Sequence, residues 1–158
     1  MPFLLAVVLV ASSGAAFVPG EWYRSLRKPK WTPPNWVFAP AWLLLYLLIG
    51  IAGWLVWQAE GVGLALALWF ANLLFNAAWS WLMFGRREIG NALADAVAML
   101  VTIVGFIFAA VPTSPLAAAL FLPYLVWVAY ATALNWSIFK LNRTLATPLA
   151  EPTRKRHY

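Results

Sequence analysis

The sequence predicts an all-α membrane protein: a bundle of five transmembrane helices with a long Trp/Pro-rich loop between the first and second. Three observations lead there. Hydrophobic residues make up 64% of the 158 residues and charged residues only 10%, against about a quarter charged in a soluble domain. The apolar residues fall into five windows, each about the 20 residues that a hydrocarbon slab of about 30 Å requires. All eleven Lys and Arg lie between those windows or at their ends, and all on one side of the bundle they define.

The first window, residues 2–18, carries no charge. It reads as a retained helix rather than a signal peptide, because no basic residue precedes the apolar run. The connector that follows, 19–38, is too charged and too proline-broken to cross a bilayer. Pro29, Pro33, Pro34 and Pro40 fix their own φ and push Lys28, Thr32 and Ala39 toward extended geometry. A stiff aromatic strap results, placed as a lid over whatever the helices enclose. The second span, 39–58, stops at Glu60-Gly61. The third, 63–84, is closed by Gly85-Arg86-Arg87-Glu88, and the fourth, 91–111, ends in Pro112-Thr113-Ser114-Pro115. The fifth covers 116–141, with Pro123 early enough to bend it without splitting it. Residues 1–142 thus form one transmembrane domain, and the basic stretch 143–158 is expected to be a disordered tail.

Five spans place the 19–38 and 85–90 connectors and the C-terminus on one side. That side holds Arg24, Arg27, Lys28, Lys30, Arg86, Arg87, Lys140, Arg143, Arg154, Lys155 and Arg156; the other holds no Lys or Arg. The positive-inside rule makes it cytoplasmic, and an all-helical bundle suits a bacterial inner membrane. The net charge of +6 is therefore a topology signal facing membrane lipid, and nucleic acid is not an expected partner.

Helical phase sorts the faces. In the third span Asn72, Asn76, Trp79 and Met83 share one stripe, assigned to the interior. Roughly opposite lie Gly63, Ala67, Ala71 and Ala78. Small residues at such spacing let two helix backbones approach closely in lipid, either in a homodimer seam or against a neighbour in the same chain. Trp42, Tyr46, Ile49 and Gly53 stack on the second span. Tyr124, Trp127, Ala131, Leu134 and Ile138 stack on the fifth. Trp54, Trp57, Trp69, Trp81 and Trp136 read as interfacial anchors, and Asn135 as a hydrogen bond between helices. Asp95, the one acid inside a span, is expected to pair with Arg86 or Arg87 near a helix N-terminus. Inward-facing indoles offer flat apolar surface with one N–H donor each, which suits a large flat ligand with a few polar edges.

Chemistry by the usual nucleophiles and metals is excluded by composition. There is no Cys, and the single His is His157, next to the C-terminus. No phosphate-cradling glycine loop or metal-spaced cluster is present, so no metal site and no catalytic set is assigned. A haem held by His or Cys is not expected either.

Four segments together resemble the tryptophan-rich sensory protein, or translocator protein, family, also called the peripheral benzodiazepine receptor family. They are WYRSLRKPKWTPPNWVFAPAWLLLY at 22–46, LLFNAAWSWLMFG at 73–85, NALADA at 91–96 and PYLVWVAYATALNW at 123–136. The resemblance covers roughly residues 20–142. It implies a five-helix bundle, commonly dimeric, with a pocket under the first loop that binds porphyrins such as protoporphyrin IX or haem as ligand. Sterols and benzodiazepine-type drugs are ligands of animal members, but the sterol motif near the end of the fifth helix is not met, because Lys140 lies too far beyond Tyr130. Carried over by position, the ligand site comprises Trp42, Asn76, Trp79, Trp127 and Ala131, with Asn72 a weaker match. Trp31 of the loop, Tyr46 and Leu134 complete the candidate set. Three functions compete: a sensory protein that binds tetrapyrrole, a transporter of tetrapyrrole or other hydrophobic cargo, and an enzyme degrading porphyrin with light and oxygen.

Overall fold

The computed structural model describes residues 2–17 and 19–143, and within them every regular element is helical. In order these are α1 (Pro2–Ala16), α2 (Glu21–Ser25), α3 (Asn35–Glu60), α4 (Leu64–Ser80), α5 (Ile89–Ala110), α6 (Pro115–Leu120) and α7 (Leu122–Arg143). Four stretches are long and apolar enough to cross a bilayer: Asn35–Glu60, Leu64–Gly85, Ile89–Ala110 and Pro115–Arg143. Helix α1 has 15 residues, about 22 Å at 1.5 Å per residue, and is shorter than a full span. The expected disordered tail lies, apart from Arg143, outside the described residues.

Element boundaries differ from the sequence reading where proline and tertiary packing compete. The second span begins at Asn35, four residues before the expected Ala39, and Pro40 and Ala39 are both helical. Pro40 is only the sixth residue of the helix, so it removes a single early hydrogen bond. The connector is therefore shorter than expected and contains α2. The third span tightens to α4 and then widens into one π-helical turn, Trp81–Gly85. The fifth breaks at Phe121 into α6 and α7 instead of merely bending. Pro123 lacks an N–H and disfavours helical geometry just before it. The Phe121 N–H turns back to Ala118 at 3.1 Å, and Leu125 restarts the ladder on the Phe121 carbonyl at 2.8 Å.

Helix α5 packs between α4 and α7, while α1 lies against α3 and α4 and α6 against α3 and α5. Their shared core includes Ile49, Val56, Ile103, Phe106 and Phe121, all fully buried. Trp69, expected at an interface, is in this core: its indole N–H donates to the Ile49 carbonyl at 2.8 Å. It fits because Gly53 has no side chain, and a Cβ there would lie 2.5 Å from the ring. By contrast Trp54, Trp57, Trp81 and Trp136 are each nearly half exposed, as anchors should be. Large apolar residues such as Leu43, Leu74, Phe108 and Val126 face outward, the arrangement of a chain whose solvent is lipid.

Candidate functional site

The bundle holds a partly open cavity of ≈ 680 Å³ in the half nearest the basic connectors, with exposed Ala39 and Leu43 on its rim. Each wall comes from a different element. Trp42 and Tyr46 project from α3, Asn76 and Trp79 from α4, Ala96 and Met99 from α5, and Trp127, Ala131, Leu134 and Asn135 from α7. Phe17, beyond the end of α1, and Tyr23, on α2, close the end beneath the loop.

Aromatic rings set the shape of the space. Trp42 stacks on Tyr46 with centroids 5.3 Å apart and meets Trp127 edge-on at 6.5 Å. Phe38 packs on the other side of Trp127. Near the loop, Phe84 packs nearly perpendicular to both Trp79 and Tyr23. Burial pushes the Tyr23 phenol above its ordinary pKa, so it stays a neutral hydroxyl under the loop.

Polar groups in this apolar setting are mostly consumed by one another. Tyr46 donates to Asn76 Oδ1 at 3.0 Å, Asn76 Nδ2 donates to the Tyr124 hydroxyl at 2.9 Å, and Tyr124 in turn donates to Met99 Sδ at 3.3 Å. This relay fixes Asn76 at the cavity floor and joins α3, α4, α5 and α7. With its amide oriented to suit the two donors that face it, Asn135 accepts through Oδ1 from the Trp79 indole N–H and the Leu93 N–H, each at 3.3 Å. The Trp127 indole N–H is different. It is buried and has no hydrogen-bond partner among the described residues.

A family model described as TspO/MBR family matches residues 3–141. The chain belongs to the TspO/MBR family. It is 41% identical over 142 residues to the tryptophan-rich sensory protein of Cereibacter sphaeroides, with 90% of each chain covered. It is 39% identical over 150 residues to the translocator protein of Homo sapiens, covering 90% of this chain and 89% of that one. To the tryptophan-rich protein TspO of Archaeoglobus fulgidus it is 38% identical over 144 residues, 88% of this chain and 94% of the other. It is thus a multi-pass membrane protein of a family that includes sensory and translocator proteins.

Within this TspO/MBR chain the candidate residues divide. Trp42, Tyr46, Asn76, Trp79, Trp127, Ala131 and Leu134 line the cavity. Asn72 does not: it is fully buried between helices and donates to the Met99 carbonyl and to Thr102 Oγ1. One turn separates it from Asn76, and that turn carries it past the cavity to the α4–α5 seam. Trp31 is also elsewhere. Its ring meets Tyr130 edge-on at 5.4 Å on the outer side of the loop, where it is 44% exposed.

Two further expectations change. Asn135 lines the cavity as well as bonding between helices. Asp95 makes no ion pair among the described residues, and one of its carboxylate oxygens is buried without a partner. Its expected partners are engaged elsewhere. Arg86 pairs with Glu88 at 2.7 Å, and Arg87, held at φ 61°, lies over the Trp22 ring.

Ala11, Gly14 and Phe17 also line the cavity. No polar or aromatic stripe marked that face of the first window, so spacing gave no signal for it. On the small-residue stripe, Ala67 is exposed and Gly63, Ala71 and Ala78 are half-buried. Its beginning is bounded by the Glu60 carboxylate, which lies 2.8 Å from where a Gly63 Cβ would be.

Proposed function

We propose that this protein binds a large, flat, mostly apolar ligand of the tetrapyrrole class, such as protoporphyrin IX or haem, within the Trp-lined cavity. The observation that carries this reading is the cavity itself: ≈ 680 Å³, walled by indoles and phenols, with one unpartnered donor at Trp127. Binding sites of this size are typically apolar with a few placed polar groups. Ring faces supply stacking area, and the Trp127 N–H supplies a contact for a carbonyl or carboxylate edge. Sterol and benzodiazepine-type molecules share the apolar bulk and are weaker candidates.

The same reading takes α1 as a fifth, short span. The bundle then has its basic connectors on the cytoplasmic side of an inner membrane, in accord with the positive-inside rule. The exposed Ala67 stripe fits close approach of a second copy, giving a homodimer.

Titration of the purified protein with protoporphyrin IX tests the function. Saturable quenching of tryptophan emission, with a shifted but persistent porphyrin spectrum, is the expected result. Loss of the porphyrin bands into a new product on illumination would replace binding with degradation, and accumulation inside sealed proteoliposomes would replace it with transport. Quenching that never saturates would overturn the reading.

A further inference from the structure

The loop between α1 and α3 closes the cavity on the basic side through Tyr23, and its position is set by α7. Asn142, in the last turn of α7, meets both backbone groups of Arg27. The Arg27 N–H donates to Asn142 Oδ1 at 3.1 Å, and Asn142 Nδ2 donates to the Arg27 carbonyl at 2.9 Å. The second hydrogen of the same nitrogen goes to the Ile138 carbonyl at 2.7 Å. Every strong hydrogen-bonding group of this amide is used, and the Ile138 bond fixes which way it faces. Only a primary amide of this length offers one acceptor and two donors in that geometry.

This contact lies beside the cavity wall. Ile138, four residues before Asn142, lines the cavity, and so does Tyr23, four residues before Arg27. The loop segment between them is internally rigid, because Lys28 Nζ donates to the carbonyls of Tyr23, Arg24 and Leu26 at 2.6, 3.2 and 3.1 Å. Arg27 and Tyr23 therefore move together. A second tie lies further along, where the Tyr130 hydroxyl donates to the Trp31 carbonyl at 2.7 Å.

We propose that Asn142 is a positioning residue that clasps the loop shut, so that release of its two bonds to Arg27 sets the rate at which the cavity exchanges its ligand. The inference rests on the ligand-binding reading above and names the step that limits entry and exit. When opening precedes passage in both directions, weakening the clasp raises association and dissociation alike and leaves affinity nearly unchanged.

Stopped-flow tryptophan fluorescence with protoporphyrin IX tests this on the full chain. Asn142→Ala removes the clasp. Asn142→Asp keeps the shape but turns an oxygen on two carbonyls. Tyr130→Phe removes only the second tie and keeps the ring against Trp31. Each is expected to raise both rate constants about tenfold, the weight of one net hydrogen bond, with Kd changed less than about twofold. Ser137→Ala, which loses an exposed bond to Ala133 on the same helix, is expected to change neither rate. If Asn142 merely held the end of α7 together, thermal stability would fall and only dissociation would quicken; that pattern, or rates equal to wild type, would overturn the clasp. A wild-type protein that shows no saturable binding would instead overturn the cavity reading.

Discussion

Trp127 shows how much can depend on one unpaired hydrogen. Its ring is held by Phe38 and Trp42, while its N–H is buried without a partner among the described residues, a cost that a bound acceptor would offset. Trp127→Phe and Trp42→Phe each keep an aromatic face but lose a donor and some area. Each is expected to weaken protoporphyrin IX binding by about 1–2 kcal/mol, roughly tenfold, in the fluorescence titration. Trp54→Phe is the control, since Trp54 is nearly half exposed on the outer face of α3 and should leave Kd unchanged. Ala131→Leu adds volume instead of removing a contact, so it should weaken large ligands more than small ones. Asn76 answers to stability. Asn76→Ala orphans the Tyr46 hydroxyl and takes from the Tyr124 hydroxyl the donor it accepts, and is expected to cost on the order of 1–3 kcal/mol in denaturant unfolding.

At the scale of the elements, the turn between the π-helical turn and α5 is organised by Glu88. Its carboxylate accepts from Asn91 Nδ2 and Arg86 Nε, each at 2.7 Å, and these two bonds, the first foremost, hold its pKa below the ordinary 4.5. A pKa depressed in the folded state contributes stability that is complete above pH 4.5 and is lost as pH falls through the lower folded value. Glu88→Gln should therefore lower thermal stability slightly at neutral pH and converge on wild type well below pH 4.5, so that its pH dependence is flatter. Exposed Ala67 on α4 tests the proposed homodimer: on that proposal Ala67→Leu should lower the dimer fraction measured by light scattering in detergent. The helices themselves were largely legible, because apolar windows and polar breaks mark spans without knowledge of contacts. Their ends were not. Whether Pro40 is absorbed and whether Pro123 bends or breaks its span depend on where each helix begins relative to the proline, which the ring's φ preference does not fix by itself.

For the whole molecule, topology is the property the charges determine most directly. Cysteines introduced at Ser25, in the loop, and at Val62, in the α3–α4 connection, are expected to react with impermeant reagent from opposite sides of the membrane. The chain has no native Cys to interfere. Labelling of both from one side would mean that α3, the helix between them, does not cross the membrane. The candidate site was legible where period and residue type agreed, as for Trp42, Asn76, Trp79 and Trp127. It was illegible where one turn decides between cavity and seam, as for Asn72, or where small residues line the wall, as for Ala11 and Gly14. Asp95 marks the remaining limit. Its helix position suited an ion pair, but which carboxylate Arg86 prefers is settled by the turn that places Glu88 beside it.

The close fit of Trp69 over Gly53 bears on how such a chain can vary. A methyl group at Gly53 would lie 2.5 Å from the indole, so Gly53→Ala alone must force the largest buried side chain out of register, at a cost of about 1–3 kcal/mol. Trp69→Phe alone leaves a void and removes the indole's bond to the Ile49 carbonyl. Together the two changes repair each other's volume, so their combined cost should be less than the sum of the two. That epistasis ties the two positions together in descent: a lineage that changes either one first passes through a destabilised intermediate, from which the second change costs less than it would alone.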